Sequence, residues 1–121
     1  MNKEFVTYEQ ALALKELGFD ERCFSRYYES GKLADSLSYL HHNYFGQVNA
    51  PLYQQAFRWF REKYKLHSTI TSISQESWQW HITKPRESLG KMYQEDFYTY
   101  EETESACLDK LIEIVKNNAH I

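Results

Sequence analysis

A chain of 121 residues with 42% hydrophobic residues, 26% charged residues and two prolines fits one globular domain, long enough to bury roughly two-thirds of its unfolded surface. That composition excludes a disordered or low-complexity chain. The formal charge of -3 and a pI near 5.9 supply no global field for nucleic acid, so any such contact would need a local basic patch.

Met1 is followed by NKEFVTYEQ, which holds no apolar run of signal-peptide length. No later stretch approaches the roughly 18 apolar residues of a membrane span. The expectation is a soluble, cytosolic protein with no membrane partner. Aromatic residues make up 17% of the chain, and ten are tyrosine, a ring with a polar tip that suits both a small core and a binding surface.

The first predicted element lies in VTYEQALALKELGFD. Thr7 is a good N-cap, Gln10 stands at the capping-box position, and Gly18 supplies a left-handed stop, which predicts a helix over about 8–17. Ala11, Leu14 and Leu17, with Leu12 on the shoulder, form its apolar stripe. RCFSRYYES then reads as a strand near 22–29, bounded by Gly31. Residues 32–49 stay open between helix, loop and hairpin, because Leu33, Leu37, Leu40 and Tyr44 have helical spacing within an aromatic, glycine-bounded arm.

Pro51 suits a first helical position and opens a predicted helix over about 51–65, LYQQAFRWFREKYKL. At 100° per residue, Tyr53, Ala56, Phe57, Phe60 and Tyr64 fall within about 60° of one direction and form the inner face. Gln54, Arg58, Arg61 and Lys65 gather on one shoulder, and Leu52 and Trp59 on the other. In STITSISQESWQWHITKP, Trp78, Trp80 and Ile82 alternate with Gln79, His81 and Thr83, which predicts a hairpin over about 69–83 that turns at SQES and stops at Pro85. PRESLGKMYQED reads as a polar surface connection that returns to a short extended FYTY. Thr99 caps the last helix with Glu102 in the box position, and Asn117-Asn118 close it, giving about 100–116 with Cys107, Leu108, Leu111, Ile114 and Val115 inward.

The predicted fold is a single compact α+β domain over 1–121: a small antiparallel sheet, the hairpin plus the strand near 22–29, packed by three helices.

Chemistry is sparse in this pattern. Gly18, Gly31, Gly46 and Gly90 are scattered, so neither a P-loop nor a dinucleotide fingerprint forms. His41 and His42 are adjacent and point apart on a strand or a helix, a poor start for a metal site; no metal or cofactor is expected. His81 reads as exposed. Cys23 and Cys107 match no redox or metal spacing and read as buried thiols. Glu104 lies in the middle of the apolar arc of the last helix, either drawn to Arg58 or Arg61 or overhanging the core in water. Arg58, Arg61 and Lys65 with Gln54 make one positive strip, and arginine forks suit phosphate or carboxylate. Trp59, and Trp80 or Tyr98 from elsewhere, are candidates to stack beside it. The bland alternative is a solvated basic face, with Arg58 paired to Glu62 one turn on.

The stretches APLYQQAFRWFREKYKL and YTYEETESACLDKLIEIVK resemble a group of uncharacterised short proteins encoded by phages and mobile elements of gut (Bacteroides-type) bacteria. The resemblance covers the three predicted helices. It implies a phage or bacterial cytosolic setting and carries over no catalytic motif. Together with the strip, it leads to a non-enzymatic accessory protein that binds a protein partner or its own copy, with Gln54, Arg58, Trp59, Arg61, Lys65, Trp80 and Glu104 as contact residues. The alternatives are a binder that sequesters a nucleotide-like or other anionic small molecule, and local nucleic-acid contact through the same shoulder. An enzyme is disfavoured because no nucleophile and base stand at a recognisable spacing.

Overall fold

The structure, a computed structural model, describes residues 2–34, 46–84 and 92–118. Residues 35–45 of the ambiguous arm, with His41 and His42, and residues 85–91 of the predicted polar connection lie outside the described residues. The fold is α+β: among the described residues there are three helices, a two-stranded and a three-stranded antiparallel sheet, and a short 3-10 turn over Asn2–Glu4. Contacts gather in two compact units, Met1–Gln55 and Ala56–Ile121.

In the first unit, helix α1 (Tyr8–Glu16) begins with the predicted capping box. The Gln10 amide N–H donates to Thr7 Oγ1 at 3.1 Å, and the Thr7 N–H donates to Gln10 Oε1 at 2.9 Å. Its end is a Schellman closure: Gly18 at φ 101° donates to the Lys15 carbonyl, and Phe19 donates to the Leu14 carbonyl at 3.0 Å, with both Leu14 and Phe19 buried. Ala11 and Leu14 are buried as predicted, while Leu17 is only half-buried and Gln10 takes an inner position instead. The Tyr53 hydroxyl supplies the reason, because it donates to the buried Gln10 Oε1 at 2.9 Å.

Strand β1 (Ser25–Tyr27) falls within the predicted stretch but does not join the hairpin. It pairs with β2 (Val48–Ala50), with Arg26 opposite Asn49, in a sheet of its own. Strand β2 lies in the arm left open by the sequence. On its other side β1 folds back through a tight turn, where Gly31 at φ 88° donates to the Tyr28 carbonyl and Ala34 donates to the Arg26 carbonyl. A β-carbon at Gly31 would lie 3.5 Å from the Tyr8 ring. Helix α1 packs on β2, and the Tyr27 hydroxyl donates to the Val6 carbonyl at 2.6 Å. Burial pushes the Tyr27 phenol above its usual range, helped by Tyr53 and Glu9.

Helix α2 (Tyr53–Tyr64) starts two residues after Pro51 rather than at it. Pro51 is buried ahead of the helix, and its carbonyl accepts from the Val6 N–H at 3.0 Å.

In the second unit, β3 (His67–Ser74) and β4 (Ser77–Thr83) form the predicted hairpin, from His67 opposite Thr83 to Ser74 opposite Ser77. A third strand, β5 (Met92–Phe97), pairs with β4 from Ile82 opposite Met92 to Trp78 opposite Phe97. This corrects the reading of MYQED as surface connection. Its acidic residues hide the strand: between Gln94 and Phe97 the chain carries one extra residue relative to β4, and Asp96 takes φ 77°, a bulge that breaks alternation.

Helix α3 (Tyr100–Asn118) lies against all three strands. Thr99 caps it by accepting from the Glu102 N–H and donating to the Glu102 carboxylate, both at 3.1 Å. Its inner face, Cys107, Leu108, Leu111, Ile112, Ile114 and Val115, is buried. Opposite lie Trp80 and Ile82, buried as the alternation of β4 predicts, while Trp78 meets Tyr100 edge to face at 5.4 Å.

Candidate functional site

The predicted site begins on α2. Tyr53, Ala56, Phe57 and Phe60 are buried and Tyr64 is half-buried, so the inner face is as the helical angles require. Gln54, Arg58 and Arg61 are exposed, spaced four and then three residues apart along one strip. These three form the part of the predicted shoulder that stays together.

Lys65 does not extend the strip. It lies beyond the helix in a left-handed conformation, φ 59°, and closes the last turn as a C′ residue. Its ammonium donates to the Glu62 carbonyl at 3.1 Å, where a cation meets the negative end of the helix dipole. The Leu66 N–H reaches the Phe60 carbonyl at 3.3 Å and completes the closure. The role is in capping, so the helical angle extrapolated to position 65 has no physical counterpart.

Trp59, predicted on an open shoulder, is 6% exposed. Its ring meets Phe60 and Tyr64 edge to face at 5.0 and 5.5 Å, and the Lys63 ammonium stands 5.1 Å from its centroid. The buried arc of α2 therefore widens to about 160° between Trp59 and Phe57. An indole loses more by hydration than any neighbour on that shoulder, and a lysine over its face leaves the ring dry with the charge in solvent.

Trp80 is 3% exposed, held on the sheet face that α3 covers, so it offers no stacking surface to the strip. Among the described residues its indole N–H has no acceptor. Two expectations met at this residue, an inward face with Trp78 and Ile82 and an outward stacking role, and burial of the indole against α3 decided for the first. Tyr98 is the exposed aromatic of the original candidates, at 75%.

Glu104 is 6% exposed, which overturns the reading of a first turn overhanging in water. It stands beside buried Thr103, whose hydroxyl donates to the Thr99 carbonyl at 2.7 Å. It also acts on Cys107 one turn on. Burial pushes the Cys107 thiol up to about 12, a hydrogen bond with Ser68 pulls the other way, and the Glu104 carboxylate adds to the rise. Cys23, whose Sγ contacts the Glu21 carbonyl at 3.4 Å, is likewise pushed up to about 12, by burial and then by the Glu21 charge. Both cysteines are free and buried, as the sequence predicts, and at neutral pH neither is a thiolate.

His81 is half-buried rather than exposed, because Tyr93 of β5 stacks on it at 5.8 Å and 24°, a partner that the sequence did not reveal. Its Nδ1 is buried and has no hydrogen-bond partner among the described residues. Among the described residues no three His, Cys, Asp or Glu side chains stand together as a metal site would need, and no helix is long and apolar enough to cross a membrane. Comparison with protein-family models, curated proteins and solved structures finds no match to the chain in any of the three.

Proposed function

We propose that this chain is a non-enzymatic accessory protein of a phage or mobile element, acting in the bacterial cytoplasm by non-covalent binding of another protein through the exposed strip of α2. The observation that carries the reading is the division of that helix: a buried aromatic arc fixes it, while Arg58 and Arg61, with Gln54 a turn earlier, occupy exposed positions. Two planar guanidinium forks lose less order per hydrogen bond formed than lysine ammoniums would and match carboxylates in pairs, so the favoured partner surface is acidic. The outer face of a helix is convex, whereas small-molecule sites are concave and bury most of their ligand. This favours a protein over a nucleotide-like metabolite.

The test is capture from bacterial lysate by the tagged chain, before and after nuclease, beside an Arg58→Ala/Arg61→Ala variant. The proposal expects an acidic protein that survives nuclease, elutes at about 0.3–0.5 M salt as screening predicts, and is missing from the variant. Identical captured sets for the two proteins would refute the strip. Loss on nuclease treatment would shift the reading to nucleic acid, and an anionic metabolite in the native mass spectrum, bound by the parent chain alone, would shift it to the small-molecule alternative.

A further inference from the structure

The three-stranded sheet has two edges, and they are built differently. Strand β5 carries Glu95 and Asp96, and the bulge at Asp96 bends it. Charge and a bulge are the devices by which natural sheets discourage a further strand. Strand β3, on the opposite edge, has neither along most of its length. Its sequence HSTITSIS contains no Asp, Glu, Lys, Arg, Pro or Gly, and its register with β4 runs unbroken from His67 to Ser72 before an extra residue at Ile73. Among the described residues β3 has one strand neighbour, β4. Thr69, Thr71 and Ser72 are exposed, and among the described residues no strand pairs with the outer side of β3.

A run of that length leaves a row of main-chain N–H and C=O groups facing outward, able to accept one more strand. The occupant follows from charge. Any acidic or basic strand would meet an uncharged edge with no complementary group, whereas a second β3 meets only Ser, Thr and Ile side chains. Antiparallel self-pairing about a twofold axis near Ile70 sets Thr69 of one copy opposite Thr71 of the other, on the face away from α3, and Thr–Thr pairs favour a ladder. Strand β5 cannot do the same, because its carboxylates would oppose one another.

We infer that β3 is a self-association edge, through which two copies of this chain join their three-stranded sheets into one continuous six-stranded antiparallel sheet. The inference stands apart from the α2 strip, since neither Arg58 nor Arg61 takes part. Main-chain pairing over about six residues is a small interface, so association belongs at the weak end, with the dimer forming at about 10–100 µM.

Sedimentation of the full chain over that concentration range tests it. The expected result is a shift from the 14.6 kDa chain mass to twice that value, abolished in Thr69→Lys/Thr71→Lys, which brings lysines face to face, and kept in Gln94→Lys on the other edge. Hydrogen exchange on the unaltered protein gives a second reading, with protection that rises with concentration in β3 and not in β5. A monomer at every concentration overturns the inference. So does a dimer that the lysine pair leaves intact while the β3 amides exchange at a concentration-independent rate.

Discussion

The contact between the Tyr53 hydroxyl and Gln10 Oε1 gives the sharpest test of how the first unit is held. Gln10 is 3% exposed and its carbonyl oxygen accepts from both the Tyr53 hydroxyl and the Thr7 N–H, each at 2.9 Å. Gln10→Met keeps volume and helix propensity while removing the acceptor. The buried Tyr53 hydroxyl then loses its bond to Gln10, a loss of about 0.5–1.5 kcal/mol, and the loss of the capping box adds about 0.5–1 kcal/mol. The single variant should lose about 1–2.5 kcal/mol. Tyr53→Phe removes the donor and leaves Gln10 its bond to Thr7, which should cost about 1 kcal/mol. In the double variant the shared bond is lost only once, so the combined loss should fall short of the sum by about 0.5–1.5 kcal/mol. Urea unfolding of the four proteins, with unchanged slopes, measures this coupling. Losses that add to within about 0.3 kcal/mol would show that the two side chains do not share this bond.

Trp59→Ala should cost about 3–5 kcal/mol, measured by denaturant midpoint, because the indole is core rather than contact surface; a loss below about 0.5 kcal/mol would restore it to the surface. Both thiols should resist a disulfide reagent at pH 8 in the folded protein and react on unfolding. Raised thiol pKa values also set a pH dependence. The folded protein holds these protons more tightly than the unfolded chain, so their contribution is complete below the ordinary value of 9.0 and is lost as pH rises toward about 12. Unfolding midpoints should therefore fall across that window, and fall less steeply in Cys23→Ala/Cys107→Ala; equal slopes would contradict the assignment.

The helix ends were legible because capping is local chemistry. Thr7 with Gln10, Gly18, and Thr99 with Glu102 each act within a few residues, and each acts as the pattern predicts. The hairpin was legible because β4 alternates over a full face. Strand β2 was hidden because Val48–Ala50 is too short for a period to emerge, and its pairing with β1 is a long-range fact. Strand β5 was hidden because its bulge and acidic residues mimic a loop. At the candidate site, helical angles sorted Arg58 and Arg61 from Phe57 and Phe60 correctly. They could not say that Lys65 leaves the helix with φ 59°, since a non-glycine residue carries no mark of the left-handed conformation. Nor could they say that α2 is buried as far round as Trp59, because a wheel orders residues by direction and is silent on how wide an arc is covered. Glu104 pointed inward by its angle, and its burial depends on neighbours that only the folded chain supplies.

On the proposed reading one helix separates structure from recognition: its buried aromatic arc holds the fold, and Arg58 and Arg61 meet the partner. Charge reversal tests it most directly, through thermal unfolding and partner capture measured on the same preparation of Arg58→Glu/Arg61→Glu. Exposed charges contribute little to stability, so melting should stay within about 2 °C of the parent while capture of the acidic partner disappears. A variant that melts more than about 5 °C earlier, or one that captures the partner as the parent does, would contradict the claim.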